Sequence, residues 1–137
     1  MWRTGPAALL AAVRITTLAA QEPAVRASSE FPEYPASDAM DGDWRTRWAA
    51  QPNDPQWIQF DFGKPVDLVG VIIDWETAFA SEYQLMLSDD GTNWQTVFEM
   101  RDGKGGRDNL SFPRRVARYL RLYCTRRGTG FGYSLFE

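Results

Sequence analysis

The amino-acid sequence predicts an all-β fold, a sandwich of short antiparallel strands. The apolar residues at 58, 60 and 62 alternate with Trp57, Gln59 and Asp61, which is the period-two pattern of a half-buried strand. Turns rich in glycine and proline recur between such runs. Beyond residue 22 no long apolar period of 3.6 residues indicates a helix. Many short strands joined by turns are typical of a β-sandwich.

The first 22 residues differ from the rest of the chain. A cationic start at Arg3 precedes an apolar run over 7–13, which Arg14 interrupts, and small residues surround a possible cleavage point after Ala20. This pattern predicts a secretory signal peptide and a secreted protein, with a disordered or misassigned leader as the alternative. The segment is too short and too interrupted to span a bilayer. We therefore divide the chain into a leader, 1–22, and one domain, 23–137.

Within that domain the alternation of apolar and polar residues places the strands. The Asp90-Gly91 pair predicts a turn between two of them, which makes these two a hairpin. One strand, apolar on both faces, is expected to be central and covered on each side. The glycine-rich stretch 102–106 is expected to be a mobile loop. The predicted strands are 58–62, 66–75, 83–87, 94–100, 110–112 and 116–125.

Composition excludes several classes of chemistry. The chain has 137 residues, enough for one domain with its own core. It contains no histidine, so Ser-His-Asp catalysis and histidine-ligated zinc are absent. Its single cysteine, Cys124, cannot form an internal disulfide and is predicted to pack in the core. The net charge of −3 gives no reason to expect a nucleic-acid partner.

The stretch 37–48 concentrates oxygen donors around a tight turn. Asp38, Asp41, Asp43 and Thr46 lie within it, and Gly42 permits a backbone conformation that other residues avoid. Calcium is bound by oxygen ligands that converge from a compact loop. The spacing does not match an EF-hand. A polar turn without metal is the alternative.

The sequence resembles the discoidin family (coagulation factor 5/8 type C domains), which includes carbohydrate-binding module family 32. The resemblance extends over 27–137 and depends on several motifs in the expected order, each weak alone. It implies an eight-stranded jelly-roll β-sandwich. Because family members usually continue through one more short strand, it also implies a truncated last strand with an exposed sheet edge. The motifs lie at 27–30, 39–48, 55–63, 74–80, 88–94, 118–123 and 128–137.

The resemblance also implies a structural calcium ion that clamps two ends of the domain without a part in catalysis. Carried over residue by residue, side chains, together with the carbonyl oxygens of residues 38 and 136, provide the ligands. Asp43 stands where the family often has asparagine, which is still an oxygen donor. The implied ligands are Asp38, Asp41, Asp43, Thr46, Phe136 and Glu137.

Relatives that bear similar Trp-Glu and Gly-Tyr-Ser motifs are accessory modules of enzymes that degrade chitosan and β-1,3-glucan. The resemblance implies that Glu30, Arg47, Glu76 and Phe131 hold a terminal sugar. Carboxylates and guanidinium groups form charge-assisted hydrogen bonds, and an aromatic ring packs on the C–H face of a sugar. Residues 49–54 lack the tyrosine that relatives often place there. Each of the four residues could instead be a solvated charge or a packing residue.

A non-catalytic module that binds the end of a β-linked glucan or glucosamine oligosaccharide is therefore the leading interpretation. Its expected partners are polysaccharide and an attached or associated glycoside hydrolase, and we expect a monomer. Two alternatives remain open. One is a small glycoside hydrolase with Glu30 and Glu76 as paired carboxylates. The other is a phospholipid or cell-surface adhesion domain, although the loops show no paired apolar tip residues with basic neighbours.

Overall fold

A computed structural model describes residues 23–40, 42 and 45–136. These residues form seven strands and one short 3-10 helix, Ala36–Met40, and no α-helix occurs among them. The predicted all-β fold is confirmed. The strands are β1 Ala24–Ala27, β2 Trp48–Ala49, β3 Gln56–Asp74, β4 Ala80–Ser88, β5 Gln95–Met100, β6 Arg107–Arg127 and β7 Ser134–Leu135.

Two antiparallel sheets organise the domain. The larger has five strands in the order β1-β3-β6-β4-β5, and the smaller pairs β2 with β7. An isolated bridge between Trp75 and Leu135 joins the end of β3 to β7. The predicted hairpin is present as β4 and β5, in which Leu85 pairs with Phe98. The small sheet and the end of β3 thus bring the late part of the chain back beside residues 48 and 49.

The strands β3 and β6 are longer than the sequence suggested. Residues 58–62 and 66–75 were expected to be separate strands, yet β3 is continuous from Gln56 to Asp74. Its pairing with β6 shifts register between Asp61 and Val66, and Gly63 there adopts a positive φ of 81°. A register shift of this kind bends a strand without ending it. In the sequence, the residues at such a bend resemble those of a turn between two strands, so one bent strand was predicted as two.

The core lies on the inner face of the large sheet. Alternate residues of the central strands, such as Ile58, Leu85 and Leu122, are buried there. Trp48 and Trp75, from the small sheet and the end of β3, complete it. Cys124 is fully buried, as predicted, and burial raises the pKa of its thiol. This packed core holds the loops at the end of the molecule where β2 and β7 pair.

A half-buried carboxylate connects the end of β3 to β4. The carboxylate of Asp108 accepts hydrogen bonds from Trp75 Nε1 at 2.9 Å and from the Tyr83 hydroxyl at 2.7 Å. Burial first, and then the hydrogen bond to Asp108, raise the pKa of Tyr83. Because buried polar atoms are costly without partners, this arrangement fixes where β3 ends and the next loop begins.

Candidate functional site

A cavity of about 530 Å³ opens between four loops beside the β2–β7 sheet. It is lined by the turn after β1, the residues around β2, the loop that follows β3 and the loop before β7. Three of the four residues predicted to bind sugar contribute to its wall. The lining includes Phe31, Tyr34, Arg47, Pro52, Glu76 and Phe131, together with Tyr133 and Ser134.

Backbone hydrogen bonds join these loops to one another. Ala49 N donates to Tyr34 O at 3.1 Å, and Ala50 N donates to Tyr133 O at 2.8 Å. On the other side, Glu76 N donates to Ser134 O at 2.9 Å. Each wall of the cavity is therefore tied to a neighbouring wall through the main chain, which orders the site before a ligand arrives.

Arg47 forms part of the wall and packs on an aromatic ring. Its guanidinium carbon lies 4.0 Å from the centroid of the Tyr34 ring, within the range of a cation–π contact. Its buried Nε has no hydrogen-bond partner. No described carboxylate pairs with it either. The guanidinium group is thus held in one place by stacking and retains N–H donors for a ligand.

Glu76 supplies a carboxylate to the same cavity. It is half-buried, and its Oε1 accepts one long hydrogen bond, 3.4 Å, from Ala78 N. It is the only acidic residue among the described residues of the lining. A carboxylate with so little internal hydrogen bonding can accept hydrogen bonds from hydroxyl groups or from an ammonium group.

Phe131 presents an aromatic surface at the rim. The side chain is 67% exposed, the highest value among the large hydrophobic residues of the described chain. Its backbone N–H donates to Thr129 Oγ1 at 3.1 Å, which holds the loop in a turn. An aromatic ring exposed at the mouth of a cavity beside a cation and a carboxylate is well suited to pack on the apolar face of a sugar ring.

These geometric features are accompanied by clear similarity to known proteins. The sequence model of the F5/8 type C domain matches residues 24–137. The chain belongs to the F5/8 type C domain family. The resemblance drawn from the sequence is therefore confirmed.

Solved F5/8 type C relatives include carbohydrate-binding modules. Chitosan-binding module 1 of the chitosanase/glucanase from Paenibacillus sp. IK-5 is 42% identical with a TM-score of 0.82, and the match covers 85% of this chain and 92% of the module. Module 2 of that enzyme, solved with chitotriose, is 35% identical with a TM-score of 0.82, covering 85% of this chain and 93% of the module.

A longer relative carries a similar segment within a larger protein. The polysaccharide lyase 8 family protein HylA of Enterococcus faecalis (strain ATCC 700802 / V583) is 35% identical over 83 residues, which is 61% of this chain. The chain spans 6% of the length of that relative.

Glu30, the fourth predicted sugar contact, does not line the cavity of this F5/8 type C domain. It is exposed, and its Oε1 accepts a hydrogen bond of 2.7 Å from Ala36 N, at the start of the 3-10 helix. The neighbouring residue, Phe31, lines the cavity instead. The structure therefore gives Glu30 a capping contact, and its role toward sugar stays a prediction.

Sequence reasoning missed Tyr34 and Phe31 as wall residues. Both lie in a turn closed by a bridge between them, with Tyr34 N donating to Phe31 O at 2.9 Å. The available signal was two aromatic residues in a proline-containing stretch outside any strand pattern. Tyr34 supplies an aromatic ring to the wall even though residues 49–54 have none.

Sequence reasoning also missed a group of hydrogen-bonded side chains that holds one lining residue of the cavity in place. The hydroxyl of Tyr133, a fully buried residue, donates a hydrogen bond to the Asp54 carboxylate. Asp54 also pairs with Arg127, whose Nη1 donates to Pro52 O at 2.7 Å. Burial and the hydrogen bond to Asp54 raise the pKa of Tyr133. These contacts hold Pro52 in the lining.

Half of the predicted calcium ligands lie outside the described residues, namely Asp41, Asp43 and Glu137. Between the first two, Gly42 adopts a positive φ of 73°, as the predicted tight turn requires. Phe136 N donates to Asp74 O at 2.8 Å, so the late chain is held beside the end of β3. Among the described residues no group of three or more aspartate, glutamate, histidine or cysteine residues could hold a metal ion.

No helix in the described part of the chain is long and apolar enough to cross a membrane.

Proposed function

We propose that this domain is a non-catalytic carbohydrate-binding module that recognises the terminal sugar of β-linked glucan or glucosamine (chitosan-type) oligosaccharides. The observation that carries the proposal is the convergence of Arg47, Glu76 and Phe131 on one cavity. Together they offer hydrogen-bond donors, an acceptor and an exposed aromatic face. The chitosan-binding modules at 35% and 42% identity support this ligand class.

The carboxylate of Glu76 favours an amino sugar over a neutral one. Glu76 has few internal hydrogen bonds, so an ammonium group at the sugar's C2 position could form a charge-assisted hydrogen bond with it. Arg47 is better suited to ring and hydroxyl oxygens, because a guanidinium group only donates hydrogen bonds. A shallow site of this kind should bind weakly, with Kd on the order of micromolar to millimolar.

The hydrolase alternative has less support from the cavity. Hydrolysis of a glycosidic bond normally requires two carboxyl groups on opposite sides of the bond. In the part of the chain that the structure describes, Glu76 is the one acidic lining residue, and Glu30 accepts a hydrogen bond from Ala36 N. We propose that any catalysis belongs to a partner or attached enzyme, and that the domain works in a secreted setting.

Isothermal titration with chitotriose tests the proposal. Glu76→Gln and Phe131→Ala should each weaken binding about tenfold or more, because they remove a charge-assisted bond and a stacking face. Glu99→Gln, at an exposed carboxylate on the edge strand β5, is the matched control and should bind as the parent does. Undetectable binding by the parent, or hydrolysis of chitotriose that Glu76→Gln abolishes, would overturn the proposal.

We also propose that a calcium ion clamps the 38–46 loop to the end of the chain. The support is the chemistry of the predicted donors, which are all oxygens, and the tight turn at Gly42. When bound, the ion would stabilise the fold and would take no part in catalysis. Asp38, Thr46 and the carbonyl of Phe136, with Asp41, Asp43 and Glu137, would hold it.

A further inference from the structure

The outer face of the five-stranded sheet carries a row of stacked arginine and tryptophan side chains. Arg26 on β1 and Arg121 on β6 lie opposite Gln59 of β3 from either side. The guanidinium carbons of Arg26 and Arg121 lie 5.8 and 4.5 Å from the centroid of the Trp57 ring. Arg121 also lies 4.2 Å from the centroid of the Trp94 ring. We call this row the arginine ladder.

Charge pairing distinguishes the arginine ladder from the other surface arginines. Arg26 and Arg121 have no carboxylate partner among the described residues, and neither does Arg47 in the cavity described above. Seven other arginines each pair with a carboxylate: Arg101, Arg107, Arg114, Arg115, Arg118, Arg126 and Arg127. In a chain of net charge −3, two cations without carboxylate partners near one tryptophan ring form a local concentration of positive charge.

The guanidinium group of Arg121 is held rigidly. Its Nε and Nη2 donate to Gln59 Oε1 at 3.2 and 2.7 Å, and Gln59 is itself buried. Its other N–H groups are not used by any described residue. Burial lowers the pKa of Arg121, and the neighbouring charge of Arg26 lowers it further. An anion bound beside Arg121 would offset its repulsion with Arg26, with little loss of freedom for the Arg121 side chain.

The position of the arginine ladder favours a polysaccharide over a peptide. It lies across β1, β3 and β6; β1 is an edge strand, whereas β3 and β6 are interior strands of the sheet. Their backbone groups are already paired, so an extended peptide cannot add a strand there. The face instead offers guanidinium, amide and aromatic side chains, which can bind the carboxylates and hydroxyls of sugars.

We propose that the arginine ladder is a second binding surface, one for carboxylate-bearing (uronate) polysaccharide, separate from the cavity that contains Arg47, Glu76 and Phe131. A uronate carboxylate would lie against Arg26 and Arg121. The neutral or amino sugar of the proposed function would occupy the cavity. The domain could then bind two chemically different polymers, or two parts of one mixed polymer, at the same time.

Titration with trigalacturonate at physiological ionic strength tests this proposal. Arg26→Gln and Arg121→Gln should each weaken binding about tenfold, while chitotriose binding stays at the parent value. Arg101→Gln removes an exposed arginine that is paired with Glu99 and is the matched control. Arg26→Gln alters an exposed side chain, so it can be interpreted even if Arg121→Gln lowers the stability of the domain.

The proposal is overturned if trigalacturonate does not bind or if Arg26→Gln binds as tightly as the parent. It is also overturned if triglutamate binds as well as trigalacturonate, which would indicate an acidic peptide as the partner. Phe131→Ala separates the two surfaces, because it should weaken chitotriose binding and leave trigalacturonate binding unchanged. Failure at the arginine ladder therefore does not affect the proposed function of the cavity.

Discussion

Asp54 shows how one surface carboxylate can determine the shape of a binding cavity that it does not line. It accepts a hydrogen bond from the fully buried Tyr133 and pairs with Arg127. Arg127 in turn holds the carbonyl of Pro52, a lining residue. A tyrosine hydroxyl buried in the protein costs free energy unless it has a partner, so Asp54 is the residue that makes the buried position of Tyr133 favourable.

We predict that Asp54→Ala lowers the free energy of unfolding by about 1–3 kcal/mol, because it leaves the buried hydroxyl of Tyr133 unsatisfied. Tyr133→Phe removes that hydroxyl, so in the double variant the further loss caused by Asp54→Ala should be much smaller. Urea unfolding of the four proteins measures this coupling. Equal losses from Asp54→Ala in the parent and in the Tyr133→Phe background would show that the hydrogen bond does not stabilise the fold.

The residues of the candidate site were predictable from the sequence to differing degrees. Arg47, Glu76 and Phe131 lie in loops whose sequence is shared with the family, so the resemblance placed them near one another. Glu30 is adjacent in sequence to a lining residue, but its carboxylate accepts a hydrogen bond from Ala36 N. That contact depends on the course of the chain over residues 30–36. Tyr34 was not predicted, because its contact with Arg47 joins two loops and leaves no local pattern.

At the level of elements, β3 and β6 show how far the alternation of apolar and polar residues predicts a strand and its buried face. The alternating residues correctly identified Leu120, Leu122 and Cys124 as the buried face of β6, but they did not show that Gln59 of β3 is buried and Val69 exposed. They did not show that 58–62 and 66–75 belong to one strand, because the break between them is a register shift against β6. Such a shift depends on pairing between residues far apart in sequence, which a single strand's pattern does not contain.

At this register shift an ion pair joins β3 to β6. Arg118 Nε and Nη2 donate to the Asp61 carboxylate at 2.8 and 3.1 Å, and Gly63 N donates to it at 2.8 Å. The hydrogen bonds from Arg118 lower the pKa of Asp61, burial opposes this, and the Gly63 N–H lowers the pKa further. The ionised form of Asp61 is therefore favoured in the folded protein relative to the unfolded chain.

Because its folded pKa is lowered, Asp61 should stabilise the fold fully above an unfolded pKa of about 3.9 and lose this effect as the pH falls through the folded pKa. We predict that Arg118→Gln lowers the Tm at pH 7 and that the difference from the parent shrinks at pH 2.5. Thermal unfolding at both pH values measures this. A difference that is the same at pH 7 and pH 2.5 would contradict the assignment, and Arg101→Gln serves as the control.

At the level of the whole molecule, four loops between residues 31 and 134 must meet to form the cavity. The core fixes the β2–β7 sheet, and backbone hydrogen bonds connect residues 34, 49, 76 and 134 across the loops. The proposed calcium ion would add one more connection, between the 38–46 loop and the end of the chain. The calcium ligands would come from the 38–46 loop and from the end of the chain. The binding energy of the ion would therefore depend on the folded state holding these two segments next to each other.

We predict that calcium at about one hundred times its Kd stabilises the domain by about 2.7 kcal/mol, because it binds the folded state and has few converging ligands in the unfolded chain. For a domain of this size that corresponds to a rise in Tm of about 10 °C relative to the same protein in EDTA. Asp41→Ala should abolish the rise, whereas Asp89→Ala, in the hairpin turn between β4 and β5, should preserve it. Equal Tm values for the parent in calcium and in EDTA would rule out the clamp. Because Arg47 lines the cavity and immediately follows the 38–46 loop, loss of calcium should also weaken chitotriose binding in the parent. Trigalacturonate binding at the arginine ladder should not change.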